Sequence, residues 1–382
     1  MSAPIFDLDL AALQRRTSLK WTTHDPDVLP AWVAEMDCRP AEQVRQAIVE
    51  AMSSGDTGYP LGSVGCDEAF ADFADWRWGW RPALPDTVVV PDVMQGVARS
   101  LELVTSPGDH VVINNPVYNC FYGYVPWVDR ELLEVPLGAD WRLDLDALER
   151  AFAGESGPKP TAYLLCNPQN PTGTVHTRDE LTAVAELAAQ HDVAVVSDEI
   201  HAPLVTPPDS FVPWLTVDPE GRSITVTSAS KAWNLAGLKA ALALGTPRTG
   251  ELLRTLTDEV THSASYLGLV AHRVALTDSR DWLDQVCREL EANRVRLQDR
   301  LAADLPMLTP VPGAATYLAW VDCSALDVAD PSVFFRTKGK VAFSRGASFG
   351  SGGEQFVRIN FATSPAVLDE IVDRAVAAVR GR

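Results

Sequence analysis

Basic residues are scarce in this chain. Lys and Arg number 32 against 51 Asp and Glu, which gives a formal net charge of -19 over 382 residues. A surface of that sign repels phosphate backbones and anionic headgroups, so a nucleic-acid groove and an acidic membrane surface are poor partners for it. Long apolar runs are missing as well. None approaches the ~20 residues that span a bilayer. The opening MSAPIFDLDL carries neither a basic nor an apolar stretch, so no secretory leader is expected there. The six cysteines (Cys38, Cys66, Cys120, Cys166, Cys287, Cys323) form no C-x-x-C pair, and no His cluster has metal-ligand spacing. No disulfide framework and no metal site are expected, and a reducing cytoplasm is the expected location. The chain has no internal repeat.

What is present is an apolar fraction of 46 %, enough for a large core and for two or three domains. Between about residues 87 and 245, apolar runs rich in β-branched residues alternate with helical patterns. Thr87–Val90, His110–Ile113, Ala162–Leu165, Val193–Val196, Ser223–Thr227 and Leu238–Leu244 read as buried strands. The stretch Thr177–His191 reads as an amphipathic helix with Thr177 as N-cap and Glu180 closing a capping box. This alternation predicts an α/β fold with a mostly parallel sheet. In such sheets ligands sit beyond the carboxyl ends of the strands. A long helix at about Asp281–Leu305 leads to a second block, with strands in TYLAWVD and FVRINFA and a closing helix at Pro365–Val379. The expected division is an irregular N-terminal segment 1–45 packing on the small domain, a large domain 46–280, and a small α+β domain 281–382.

The residues that follow four of these strands bear the chemistry. After Val90 comes a turn with Gln95, Gly96 and Val97 opening a helix. After Leu165 comes Cys166-Asn167-Pro168-Gln169-Asn170-Pro171-Thr172-Gly173. After Val196 comes Ser197-Asp198-Glu199-Ile200-His201, and after Thr227 comes Ser228-Ala229-Ser230-Lys231. Taken singly, S-x-S-K and D-E-I-H are common, and N-P-x-N-P-T-G is a tight turn of good turn formers. In this order, they resemble the class I/II aminotransferase superfamily of pyridoxal-phosphate (PLP) enzymes.

That resemblance implies a fold type I large domain and a role for each residue. Lys231 is the expected Schiff-base lysine and α-proton base. Asp198 is the carboxylate that keeps the pyridine nitrogen protonated, and Asn170 donates to the ring oxygen. Gln95, Gly96 and Val97 form the phosphate turn through their backbone, completed by Ser228, Ser230 and Lys239. Tyr118 stacks on the ring. Arg358 clamps the substrate carboxylate, with Asp37 and Tyr118 also on the substrate side. Tyr59 reaches the neighbouring subunit's phosphate, which implies a homodimer.

Two details narrow the reaction. Many aminotransferases carry Tyr three residues after the pyridine aspartate, where this chain has His201, assigned beside the cofactor. The N-terminal block SLKW…DVLPAWVAEMD, with SASKAWNLAGLK and the closing FVRINFA, is similar to the MalY/PatB subgroup of cystathionine β-lyases, also called cysteine-S-conjugate β-lyases. The resemblance runs from about Ser18 to Val376. It implies a carbon–sulfur lyase that releases a thiol, pyruvate and ammonia. An aminotransferase, and a PLP-binding regulatory protein, are the alternatives. Cys38, Pro203 and Trp233 depart from the subgroup pattern, and Cys38 and Pro203 are expected near the substrate entrance. The glycine-rich GASFGSGG at 346–353 leads into a strand, which denies it the context of a dinucleotide loop. It is expected to be a flexible loop beside the carboxylate site.

Overall fold

The computed structural model describes residues 3–381. Contacts divide the chain into two units, one of residues 40–169 and 174–283, the other of residues 1–39, 170–173 and 284–382. The boundaries fall at 39/40 and 283/284, where the sequence reading put them at 45/46 and 280/281. The reason is local. Helix α1 (Glu42–Ser54) and helix α2 (Cys66–Trp78) both pack on a helix near the far end of the same unit, Tyr266–Asp278. Residue 40 onward therefore belongs with the large unit.

The large unit is built on a seven-stranded sheet. In chain order its strands are β1 (Thr87–Val90), β2 (His110–Ile113), β3 (Glu131–Glu134), β4 (Ala162–Cys166), β5 (Ala194–Asp198), β6 (Ser223–Thr227) and β7 (Ala241–Gly245). Their spatial order is β1-β7-β6-β5-β4-β2-β3. Neighbours from β6 to β3 run parallel, and β7 runs antiparallel to both of its neighbours. Strands β4, β5 and β6 are buried along their whole length. This explains why they read as unbroken apolar runs, since helices cover both faces of a parallel sheet. Strand β3, sequence ELLE, was not expected. It is an edge strand with an exposed first residue and has no β-branched residue to mark it. Strand β7 starts at Ala241, because residues 238–240 belong to the turn ahead of it.

Helix α3 (Val93–Val104) follows β1 and buries Val93, Val97, Leu101 and Val104, a spacing of four, four and three that puts one face on the sheet. Each fully buried Val or Leu of this kind contributes roughly 1.5–3 kcal/mol. Helix α4 (Arg178–His191) begins with the expected box: Thr177 accepts from the Glu180 amide, and the Glu180 side chain accepts from Thr177. It ends on Asp192 in the left-handed region, φ 57°. Tyr266–Asp278 is helix α5.

In the other unit, residues 284 onward of helix α6 (Arg280–Asp304) accompany a four-stranded antiparallel sheet. Its strands are β8 (Thr309–Pro310), β9 (Leu318–Asp322), β10 (Ser344–Arg345) and β11 (Phe356–Asn360), ordered β10-β11-β9-β8. Trp320 and Ser344 both register with Arg358. Helix α7 (Pro365–Arg380) buries Val367, Leu368, Ile371, Val372, Ala375 and Val376. The N-terminal residues of this unit form two one-turn helices and a short strand, Leu29–Pro30, that pairs in parallel with Val341–Ala342.

Candidate active site

In the large unit the carboxyl ends of β1, β4, β5 and β6 lie at one edge of the sheet, and the chain enters β7 at that edge too. Asp198 is the last residue of β5 and is 4 % exposed. Burial pushes its carboxyl up to about 6, opposed by the Ile200 amide, which donates to Oδ1 at 3.1 Å, and by the charge of Lys231. A carboxyl in that setting suits a cationic N–H as its partner. Lys231 stands four residues beyond β6, in a turn that Ser228 organises. The Ser228 hydroxyl donates to Ala240 O at 2.8 Å and accepts from the Ser230 amide at 3.1 Å. Ser228 thus holds the turn together, and its hydroxyl stands at the same edge as Ser230 and Lys239. Lys239 Nζ pairs with Asp92 Oδ2 at 2.9 Å. His201 is buried and precedes a short 3-10 turn, Ala202–Leu204. Tyr118 is half-buried with its ring edge-on to Phe121, 5.8 Å between centroids.

The phosphate turn needs a correction. Asp92 is the N-cap of α3, and its Oδ1 accepts from the Gln95 amide at 2.9 Å, while the Gly96 amide donates to Asp92 O at 2.8 Å. Val97 lies further inside the helix. The amides at Gln95, Gly96 and Val97 are therefore committed within the helix start. The first two amides of α3, those of Val93 and Met94, have no intrahelical acceptor and point out of the helix end. Gly96 has a different duty. A Cβ there would stand 2.6 Å from Val226 Cγ1 and 2.9 Å from Val90 Cγ2, so its hydrogen lets α3 close onto β1 and β6.

The smaller unit holds the rest. Arg358, buried in β11, donates from Nη1 to Asn170 Oδ1 at 2.9 Å and from Nη2 to Trp32 O at 3.2 Å and Ser344 Oγ at 3.3 Å; its guanidinium lies 4.7 Å from the Phe349 ring centroid. Oδ1 of Asn170 faces Arg358, so its NH2 end points the other way. The 346–353 segment is not an open loop. It folds into a 3-10 turn, Gly346–Phe349, with Phe349 buried, and the Phe356 and Gly353 carbonyls leave no room for a side chain at Gly346.

Asp37 does not face a substrate. It is 2 % exposed, Oδ2 takes Lys20 Nζ at 2.8 Å and Oδ1 takes Trp21 Nε1 at 3.1 Å. Oδ2 is held in a buried ion pair and Oδ1 by an indole N–H, with Arg16 Nη1 4.0 Å away, and together they tie down the N-terminal segment. Cys38 and Pro203, expected near the substrate entrance, are both buried, and so is Trp233. Cys38 is wholly buried and its thiol is pushed up to about 12 by burial. Pro203 is buried, with its carbonyl accepting from Arg77 Nη2 at 3.1 Å. Trp233 is a core residue that donates to Ser279 O at 3.1 Å. None of the six cysteines is in a disulfide.

The family model described as aminotransferase class I and II matches residues 34–374. The chain belongs to the class I and II aminotransferase family. A Mycobacterium leprae chain that carries the name cystathionine β-lyase is 45 % identical over 98 % of this chain and 97 % of its own. Cystathionine β-lyase PatB of Bacillus subtilis is 32 % identical, with 92 % and 93 % covered. The crystal structure of a PLP-dependent β-cystathionase from Corynebacterium diphtheriae superposes with a TM-score of 0.92 at 34 % identity, covering 98 % of both chains.

Within this class I/II aminotransferase chain, sequence reasoning missed Asp92, Val93 and Met94 at the helix start and Lys20 as the partner of Asp37. The first three were open to discovery. An Asp immediately ahead of a helical pattern is an N-cap signal, and it places the unpaired amides at the next two positions. Lys20 had no such signal, because the pair is made 17 residues away.

Proposed function

We propose that this chain is a PLP-dependent C–S β-lyase that splits cysteine S-conjugates, cystathionine among them, into a thiol, pyruvate and ammonia. The observation that carries the reading is the buried Asp198 carboxyl at the end of β5, its proton affinity raised by burial and lowered by Lys231 beyond β6. The polar groups fit the cofactor: Asp198 would accept from a protonated ring nitrogen, and the Val93 and Met94 amides with Ser230 and Lys239 would donate to a phosphate. When bound, PLP supplies an electron sink for the charge left at the substrate α-carbon.

The chain's own groups do the rest. Asp198 holds the proton on the ring nitrogen. Tyr118 would offer its ring as a stacking face, and we assign the buried His201 to the cofactor's surroundings. Asn170 donates to the ring oxygen through the amide end turned away from Arg358. Arg358 binds the substrate carboxylate. Lys231 would hold the cofactor through Nζ; free of it, Nζ would take the substrate α-proton and hand a proton to the departing sulfur. Water completes the reaction, and no keto acid is consumed. A homodimer belongs to this reading. Tyr59 and Leu61 are 97 % and 92 % exposed in one chain, and we assign Tyr59 to the neighbouring subunit's phosphate.

The test is to supply cystathionine to the PLP-loaded protein without any keto acid. Thiol and pyruvate should appear catalytically and in equal amounts. Lys231→Ala should lose both the visible cofactor band and turnover. Thiol-free turnover that depends on an added keto acid would make the chain an aminotransferase instead.

A further inference from the structure

Glu199 is an acid buried beside Asp198 that no step of the reaction uses. One oxygen, Oε1, accepts three hydrogen bonds: from the Trp214 amide at 2.8 Å, from Ser197 Oγ at 3.1 Å and from Asn167 Nδ2 at 3.2 Å. Asn167 gives its second amide proton to Val212 O at 3.1 Å. The Glu199 backbone is tied as well. Its N–H donates to Val226 O at 2.9 Å, and its carbonyl accepts from Thr227 Oγ1 at 3.3 Å. The Asn167 amide donates to Asp198 O at 3.0 Å. One residue thus touches the ends of β4, β5 and β6, the three adjacent strands that lead into Asn170, Asp198 and Lys231.

We propose that Glu199 is a positioning residue whose carboxyl clamps the ends of β4, β5 and β6 so that Asp198 and Lys231 keep their mutual geometry. Burial pushes its carboxyl up to about 8, so it keeps its proton at neutral pH. The charge of Asp198 raises it further. A second carboxylate there would set two negative charges side by side in a dry site, whereas the protonated acid leaves the negative charge on Asp198 alone. Glutamine matches the protonated acid in shape and keeps the accepting oxygen. Alanine keeps neither.

The inference rests on Asp198 and Lys231 being the cofactor residues, and the test separates the two. PLP-loaded wild type, Glu199→Gln and Glu199→Ala are compared by melting temperature, by kcat and KM on cystathionine, and by the pH midpoint of the visible cofactor band. The Gln variant should stay within about 2-fold of wild type in kcat. The Ala variant should lose roughly 10–100-fold in kcat with KM changed less than about 3-fold, and its midpoint should move by about one pH unit. A folded, cofactor-loaded Ala variant with wild-type kcat and midpoint overturns the clamp. A Gln variant as impaired as Ala overturns its uncharged character. If Ala does not fold, Asn167→Ala cuts the link to β4 alone and should move kcat and midpoint in the same direction by less; no movement refutes the clamp. Wild type that binds PLP but releases no thiol sinks the lyase reading and leaves the midpoint comparison intact, while wild type that takes up no PLP sinks both.

Discussion

Replacing Glu199 by Gln should make stability less sensitive to alkali. On folding, the Glu199 carboxyl rises from 4.5 to about 8, chiefly through burial. The folded chain therefore holds one proton that the unfolded chain releases across that range. The wild-type unfolding free energy must then fall as pH rises from 4.5 to 8, by about 1.4 kcal/mol per unit. Glutamine has no such proton to lose. The advantage of the variant should be near zero at pH 4.5, about 2 kcal/mol at pH 6 and about 4 kcal/mol at pH 8, levelling off above that. Urea unfolding of both proteins at pH 5, 6, 7 and 8, with PLP at one fixed concentration, measures the difference directly. A difference that stays flat between pH 5 and pH 8 would mean that Glu199 is ionised in the folded state, and the argument from burial would be wrong.

Two further predictions concern residues whose roles the structure changed. Gly96→Ala should lower stability by about 1–3 kcal/mol through overpacking, since its Cβ would meet Val226 and Val90. The thermal midpoint reads this, and a loss of PLP affinity with stability untouched would return Gly96 to the phosphate turn. Asp37→Asn should cost about 3–5 kcal/mol by leaving the Lys20 ammonium buried against a neutral partner, with KM for cystathionine unchanged. A raised KM at normal stability would restore Asp37 to the substrate side.

The sequence by itself determined the elements and the chemistry-bearing turns. Buried strands β4, β5 and β6 are apolar throughout because both their faces are covered. Thr177 and Glu180 announce the start of α4 because a cap is a contact over three residues. Asp198 ends a strand, and Asn170 and Lys231 each come four residues after one, so chain order alone places all three at strand ends. Tertiary structure decided what depends on groups far apart in the chain. Gly96 is needed because Val226, 130 residues later, lies under α3. Asp37 is structural because Lys20 and Trp21 take both of its oxygens, and no local pattern marks a buried ion pair. Strand β3 exists because β2 offers it an edge, not because ELLE favours extension. The segment 170–173 counts with the smaller unit, and Arg358 holds Asn170 there across 188 residues. Local rules reach about one turn or one strand along the chain, and beyond that the duty of a side chain is set by what the fold packs against it.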